Sequence, residues 1–176
     1  MIAKTGLVKC MLVLLLAGSG ASLPGEGPPA RAAGGDSAGP PPPALFREVV
    51  IQYERVRLAL VADDLAGIRE PARRLAGVVG AWARKHTGAS GGAPERMKAI
   101  ERAAGGLVKA RTLGDARESF WRLSMRLIEW KKQLGLGEPA IAFCPMIRRK
   151  WLQPLGSIGN PFAGGHMVGC GEFVDE

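Results

Sequence analysis

Between positions 44 and 134 the apolar residues return at steps of three and four. Phe46, Val49, Tyr53, Val56 and Leu60 form one stripe, which predicts a helix over about 44–62. Asp63-Asp64 ends that run and supplies a cap for the next helix. Leu65, Ile68, Ala72, Leu75, Val79 and Trp82 repeat the stripe, with Pro71 inside it. Either Pro71 kinks the helix at a cost of about 3 kcal/mol, or a short turn ends near Glu70 and Pro71 opens the main helix. Gly88 to Gly92 reads as a loop. Pro94 suits the first turn of a third helix, striped by Met97, Ile100, Ala104 and Leu107 and weakened by Gly105-Gly106. Gly114-Asp115 marks a fourth start. Ala116, Phe120, Leu123, Leu127, Trp130 and Leu134 then run unbroken, flanked by Trp121, Met125 and Ile128. This helix should be the most buried, and Gly135 and Gly137 should stop it. Four such stripes on short links predict an all-α fold, an antiparallel four-helix bundle over 44–137.

Outside the bundle the pattern is different at each end. Residues 1–21 read as a secretory signal: Lys4 and Lys9, an apolar run from Cys10 to Ala17, and the small residues Ser19-Gly20-Ala21. That run is shorter than the roughly 20 apolar residues a membrane span needs. Cys10 stands at its start, whereas a lipoprotein's acceptor cysteine would follow it. Residues 22–43 are rich in Gly, Pro and Ala and end in Pro40-Pro41-Pro42-Pro43. Such a leader has little to bury, and predicts disorder stiffening into polyproline II. After Pro139 helical periodicity stops again. Residues 138–176 form a Gly/Pro-rich segment whose Phe143, Trp151, Leu152, Leu155, Ile158 and Phe162 should dock it on the bundle. Within it the sequence predicts one short helix, Pro145 to about Leu152, with Cys144 as its cap and Ile147 and Trp151 on its buried face.

Charge and cysteine count narrow the function. The formal charge is +8; removing a signal that holds Lys4 and Lys9 and no acid leaves 8 − 2 = +6. The basic residues are scattered along helices, as on solvated faces, and an exported chain has no nucleic-acid partner to meet. Nothing on the helices has the makeup of a catalytic group. His86, beside Arg84 and Lys85, is a cation at a helix C-terminus. With Cys10 gone, Cys144 and Cys170 remain as an even pair in an oxidising compartment.

The tail gathers the soft ligands: Cys144, Met146, His166, Met167 and Cys170. At a helix N-terminus near Arg148, Arg149 and Lys150, Cys144 would gain thiolate character, and thiolate is the form that binds metal. If the tail folds back on itself, two thiolates, two thioethers and an imidazole converge, a set that selects Cu(I) over zinc. The alternative is a plain disulfide, Cys144–Cys170, closing a 26-residue separation and worth roughly 3 kcal/mol, with both methionines as packing residues. The two are also redox-linked states of one site. A thioredoxin-like reading fails for want of Cys-x-x-Cys. A cysteine-nucleophile enzyme needs an acid and an oxyanion feature beside His166, and none stands out.

The string Phe143-Cys144-Pro145-Met146, Trp151, Ile158-x-Asn160-Pro161-Phe162-x-Gly164 and Met167-x-x-Cys170-Gly171-Glu172 resembles the C-terminal signature of a bacterial exported domain family of unknown function. That family occurs alone and fused to the periplasmic adaptor (membrane-fusion) subunits of heavy-metal efflux pumps of the resistance–nodulation–division class. Tyr53, Leu60, Asp63-Asp64, Ala110-Arg111, Phe120, Leu123-Ser124 and Leu127-Ile128 are similar to its helical part, so the resemblance spans about Leu45 to Glu172. It implies a periplasmic or cell-surface domain linked to copper or related metals, with Cys144, Met146, Met167 and Cys170 as ligands. His166 stands on its own chemistry. The family's small residues after Cys-Pro-Met are replaced here by Ile147-Arg148-Arg149-Lys150, a cationic rim that works against delivery of a free cation. The chain lacks an adaptor's hairpin and barrel domains, so it is not a complete adaptor subunit.

Two expectations follow. The first is an exported, non-enzymatic metal-binding domain for Cu(I) or a similar soft ion. Its partners are the ion and a periplasmic efflux or metal-delivery protein, with no stable membrane insertion once the signal is removed. The second is a disulfide-stapled helical protein-interaction module without metal.

Overall fold

The structure, a computed structural model, describes residues 41–89 and 91–175, and gives the backbone of His166. The secretory signal and most of the leader lie outside the described residues. Four helices are formed where the stripes place them: α1 (Pro43–Val61), α2 (Leu65–Lys85), α3 (Ala93–Lys109) and α4 (Leu113–Gln133). Pro43 belongs to the first helix rather than to the leader, since proline's fixed φ suits a first turn. Asp64 caps α2 by accepting from Gly67 N at 3.0 Å, and Thr112 caps α4 by accepting from the N–H of Asp115 at 3.1 Å. Pro71 lies inside one continuous α2. Each helix packs on the next, and α1 also meets α4.

The stripes are the core. Phe46, Val49, Val56, Ile68, Leu75, Val79, Met97, Ile100, Leu107, Phe120, Leu123 and Leu127 are all buried, each gaining on the order of 1.5–3 kcal/mol from leaving water. Phe46 meets Trp130 edge-on at 5.0 Å, and Tyr53 stacks on Phe120 at 4.7 Å. Trp82, at the margin of its stripe, stacks on His86 at 4.2 Å, and His86 Nδ1 lies 2.8 Å from the Trp82 carbonyl. Among the described residues no helix is long and apolar enough to cross a membrane.

The fold is not all-α. The C-terminal segment forms a three-stranded antiparallel sheet, β1 (Ala140–Cys144), β2 (Arg149–Gln153) and β3 (Glu172–Val174), in the order β2-β1-β3. A one-turn 3-10 helix, Gly165–Met167, lies between β2 and β3. The helix expected over 145–152 is therefore a hairpin, with Ile141 opposite Leu152 and Cys144 opposite Arg149. Three local terms outweigh Pro145's suitability for a helix start. Arg148 takes a positive φ of 55° and returns its N–H to the Cys144 carbonyl at 2.8 Å. Arg149 reaches Glu118 on α4 at 2.8 Å and lies over the Trp121 ring. Trp151 and Leu152 are both buried, which a strand against the bundle permits. Leu155, expected in the interface, is instead 65% exposed.

As an edge strand, β2 has backbone groups that β1 does not satisfy. One is met from the bundle: Leu152 N–H donates to Tyr53 Oη at 3.1 Å, the phenol pairs with Ser124 Oγ at 2.7 Å, and Ser124 donates to the Phe120 carbonyl at 2.8 Å. This relay joins α1, α4 and the sheet through buried groups. Tyr53→Phe leaves the Leu152 N–H and Ser124 short of a partner, so we expect a loss of about 1–3 kcal/mol in denaturant unfolding. Burial also pushes the phenol's pKa far above its ordinary 10.0, with smaller opposing effects from its partners. The stability from holding it neutral is full below about pH 10 and is lost as pH rises beyond. Tyr53→Phe should lack that alkaline loss; an unchanged alkaline slope would contradict this.

Candidate functional site

Cys144 closes β1, the central strand, and Cys170 lies just before β3. Pairing of β1 with β3, Phe143 opposite Glu172, brings the two cysteines to one end of the sheet. Their sulfurs lie 2.6 Å apart, unbridged, with Cys144 buried and Cys170 half-buried. This convergence, expected only if the tail folded back, is what the three strands accomplish.

The surroundings make the two thiols unequal. Burial alone would raise the Cys144 pKa. Hydrogen bonds from the Cys170 thiol, from the backbone N–H groups of Ile147 and Met146 and from the Asn160 side chain outweigh burial, and hold it below the ordinary thiol value. Cys170 is pushed up, chiefly by its hydrogen bond to Cys144, then by burial and by the Cys144 charge. The two therefore titrate together, with Cys144 the more acidic of the pair. Thiolate character at Cys144 was expected from a helix N-terminus. It comes instead from the hairpin turn, whose Ile147 and Met146 backbone groups hold the pKa down.

The remaining predicted ligands are placed less tightly. Met146 sits at the hairpin tip, 75% exposed. Met167, in the 3-10 turn, is part-buried against the core. His166 occupies the same turn by its backbone. Among the described residues no group of three or more His, Cys, Asp or Glu side chains is arranged to hold a metal. The donor chemistry suits a soft ion. However, two sulfurs on one ion at roughly 2.3 Å and a tetrahedral angle stand about 3.8 Å apart, so the pair must open to admit one. Of the cationic rim, Arg149 is committed to Glu118 and to the faces of Trp121 and Phe162. A cavity of about 580 Å³ lies elsewhere, lined by Lys131, Leu136, Ile141, Phe173 and Val174 and by neither cysteine.

Several residues that hold the site were not singled out as such by the sequence. Arg57 of α1 is buried, forked onto Glu54 at 2.6 and 2.7 Å, and gives Nη1 to the Gly159 carbonyl at 2.6 Å. Arg117 of α4 donates Nε to the Pro161 carbonyl at 3.1 Å and pairs with Asp63. Gln153 accepts from Trp151 Nε1 at 2.9 Å and from Gly159 N at 3.2 Å. Phe162, which was expected to dock the segment on the bundle, does so against Phe120 at 5.7 Å and also meets Trp151 at 6.0 Å. The Asn160-Pro161-Phe162 string is thus an anchor, gripped by both outer helices. An arginine next to a buried stripe position was the available signal, since Arg57 adjoins Val56.

Comparison of the chain with protein-family models, with curated proteins and with solved structures yields no match.

Proposed function

We propose that the chain is an exported, periplasmic, non-enzymatic metal-binding domain, in which an antiparallel four-helix bundle supports a sulfur centre for Cu(I) or a similarly soft ion. The observation that carries this reading is the convergence of Cys144 and Cys170 at one end of the sheet. Cys144 and Cys170 are the thiolate donors. Met146 and Met167 are the thioether donors, and His166 is the imidazole of the same turn. Exposed Met146 stands where a delivering or receiving partner would reach it, and such a partner belongs to periplasmic metal handling or efflux.

A second reading has its own support. The two cysteines stand side by side at one end of the sheet, where oxidation can join them. Oxidised, the chain is a Cys144–Cys170-stapled helical interaction module without metal.

The test is an anaerobic Cu(I) titration of the reduced chain from Ser22 against a competing chelator, with folding checked by circular dichroism. One ion per chain should bind, Cys144→Ser should abolish binding, and Met146→Leu/Met167→Leu should weaken it at least tenfold, about 1.4 kcal/mol. Binding indifferent to both cysteines and methionines, or no binding by wild type, hands the case to the stapled module.

A further inference from the structure

Asn160 is a fully buried polar residue, and its bonds are unusual in their reach. Its backbone N–H donates to the Val168 carbonyl at 2.7 Å. Its Oδ1 accepts from Phe162 N at 2.9 Å, closing the local turn. Its Nδ2 donates to the Cys170 carbonyl at 2.9 Å, and the same side chain helps to hold the Cys144 pKa down. One carboxamide therefore bears on both members of the pair, on Cys170 through its backbone carbonyl and on Cys144 through the acidity of its thiol, although the two lie 26 residues apart. Its neighbours are fixed in turn: Gly159 is held by Arg57 and Pro161 by Arg117. The amide is thus presented to the cysteines from two helices.

We infer that Asn160 is the positioning residue of the Cys144–Cys170 pair: its carboxamide N–H sets where the two sulfurs stand relative to each other, separately from its part in the turn. The chemistry requires asparagine. Aspartate keeps the acceptor for Phe162 N and loses the donor, and serine has too short a reach for both. The inference rests on the sulfur pair being the working centre. Its test uses glutathione instead of metal, so a wild type that binds no Cu(I) defeats that reading and leaves this one to be judged alone.

The measurement is the equilibrium in which two protein thiols and one glutathione disulfide give the Cys144–Cys170 disulfide and two glutathione thiols. Two electrons pass from the protein sulfurs to glutathione, and each cysteine proton ends on a glutathione. Wild type, Asn160→Asp, Asn160→Ser and Tyr53→Phe are equilibrated in glutathione buffers, alkylated and weighed by mass spectrometry. Asn160→Asp should lower the equilibrium constant at least tenfold, equivalent to 29.6 mV, with the reduced chain still folded, and Asn160→Ser should do the same. Tyr53→Phe, which weakens the fold away from the sulfurs, should leave the constant within twofold of wild type. The inference is overturned if Asn160→Asp matches wild type, or if Tyr53→Phe shifts as far as the Asn160 variants. It is equally overturned if neither Asn160 variant folds, because the role is then structural, or if the wild-type pair does not close.

Discussion

Trp151→Ala is expected to lose about 3–5 kcal/mol of folding stability, the largest effect of any single substitution considered for this chain. The indole is fully buried on β2. It stands edge-on to Phe162, lies under Gly171 and gives its N–H to Gln153. Truncation opens a cavity where the sheet meets the bundle and removes one of the two donors to Gln153 Oε1, the oxygen that also accepts from Gly159 in the loop. Denaturant unfolding should show the loss directly, with a thermal midpoint lower by on the order of 10–20 °C. A loss under about 1 kcal/mol would mean that the sheet rides loosely on the helices, and the description of the interface would be wrong.

The second large effect is expected at Gly171, next to the sulfur pair. Its φ is +148°, where a side chain is strained, and a Cβ there would stand 2.8 Å from Trp151 Cη2 and 3.2 Å from the Phe143 carbonyl oxygen. The indole is itself locked and the other obstacle is backbone, so neither gives way readily. Gly171→Ala should cost about 2–4 kcal/mol, combining backbone strain with overpacking, and should displace Cys170 from Cys144. Gly169, two residues away, has open space where its Cβ would point. Gly169→Ala is therefore the matched control and should be nearly neutral in the same unfolding measurement. Equal losses at the two positions would show that the effect belongs to the loop at large and not to the contact with Trp151.

The helices were legible because each buries one stripe, and a stripe leaves a period in the sequence. Every residue of the first stripe, Phe46 to Leu60, is buried. The sheet was not legible for the complementary reason. Its strands do not bury one face in strict alternation: in β2, Trp151, Leu152 and Gln153 are buried in succession because Gln153 turns inward to bind Trp151 and Gly159. The turn at Arg148 carries a positive φ without a glycine to announce it, and Pro145 imitates a helix start. At the site, the even cysteine pair was readable and its approach follows from the fold. The residues that hold it were not readable as a group, because Arg57 and Gly159 are 102 positions apart and such contacts leave no local period.

The unequal burial of the two sulfurs also imposes an order in time. Cys144 is sealed beneath the sheet end while Cys170 remains partly open, so anything arriving from solvent meets the outer sulfur before the inner one, and anything leaving parts from them in reverse. On the reading proposed above, exchange therefore runs through Cys170.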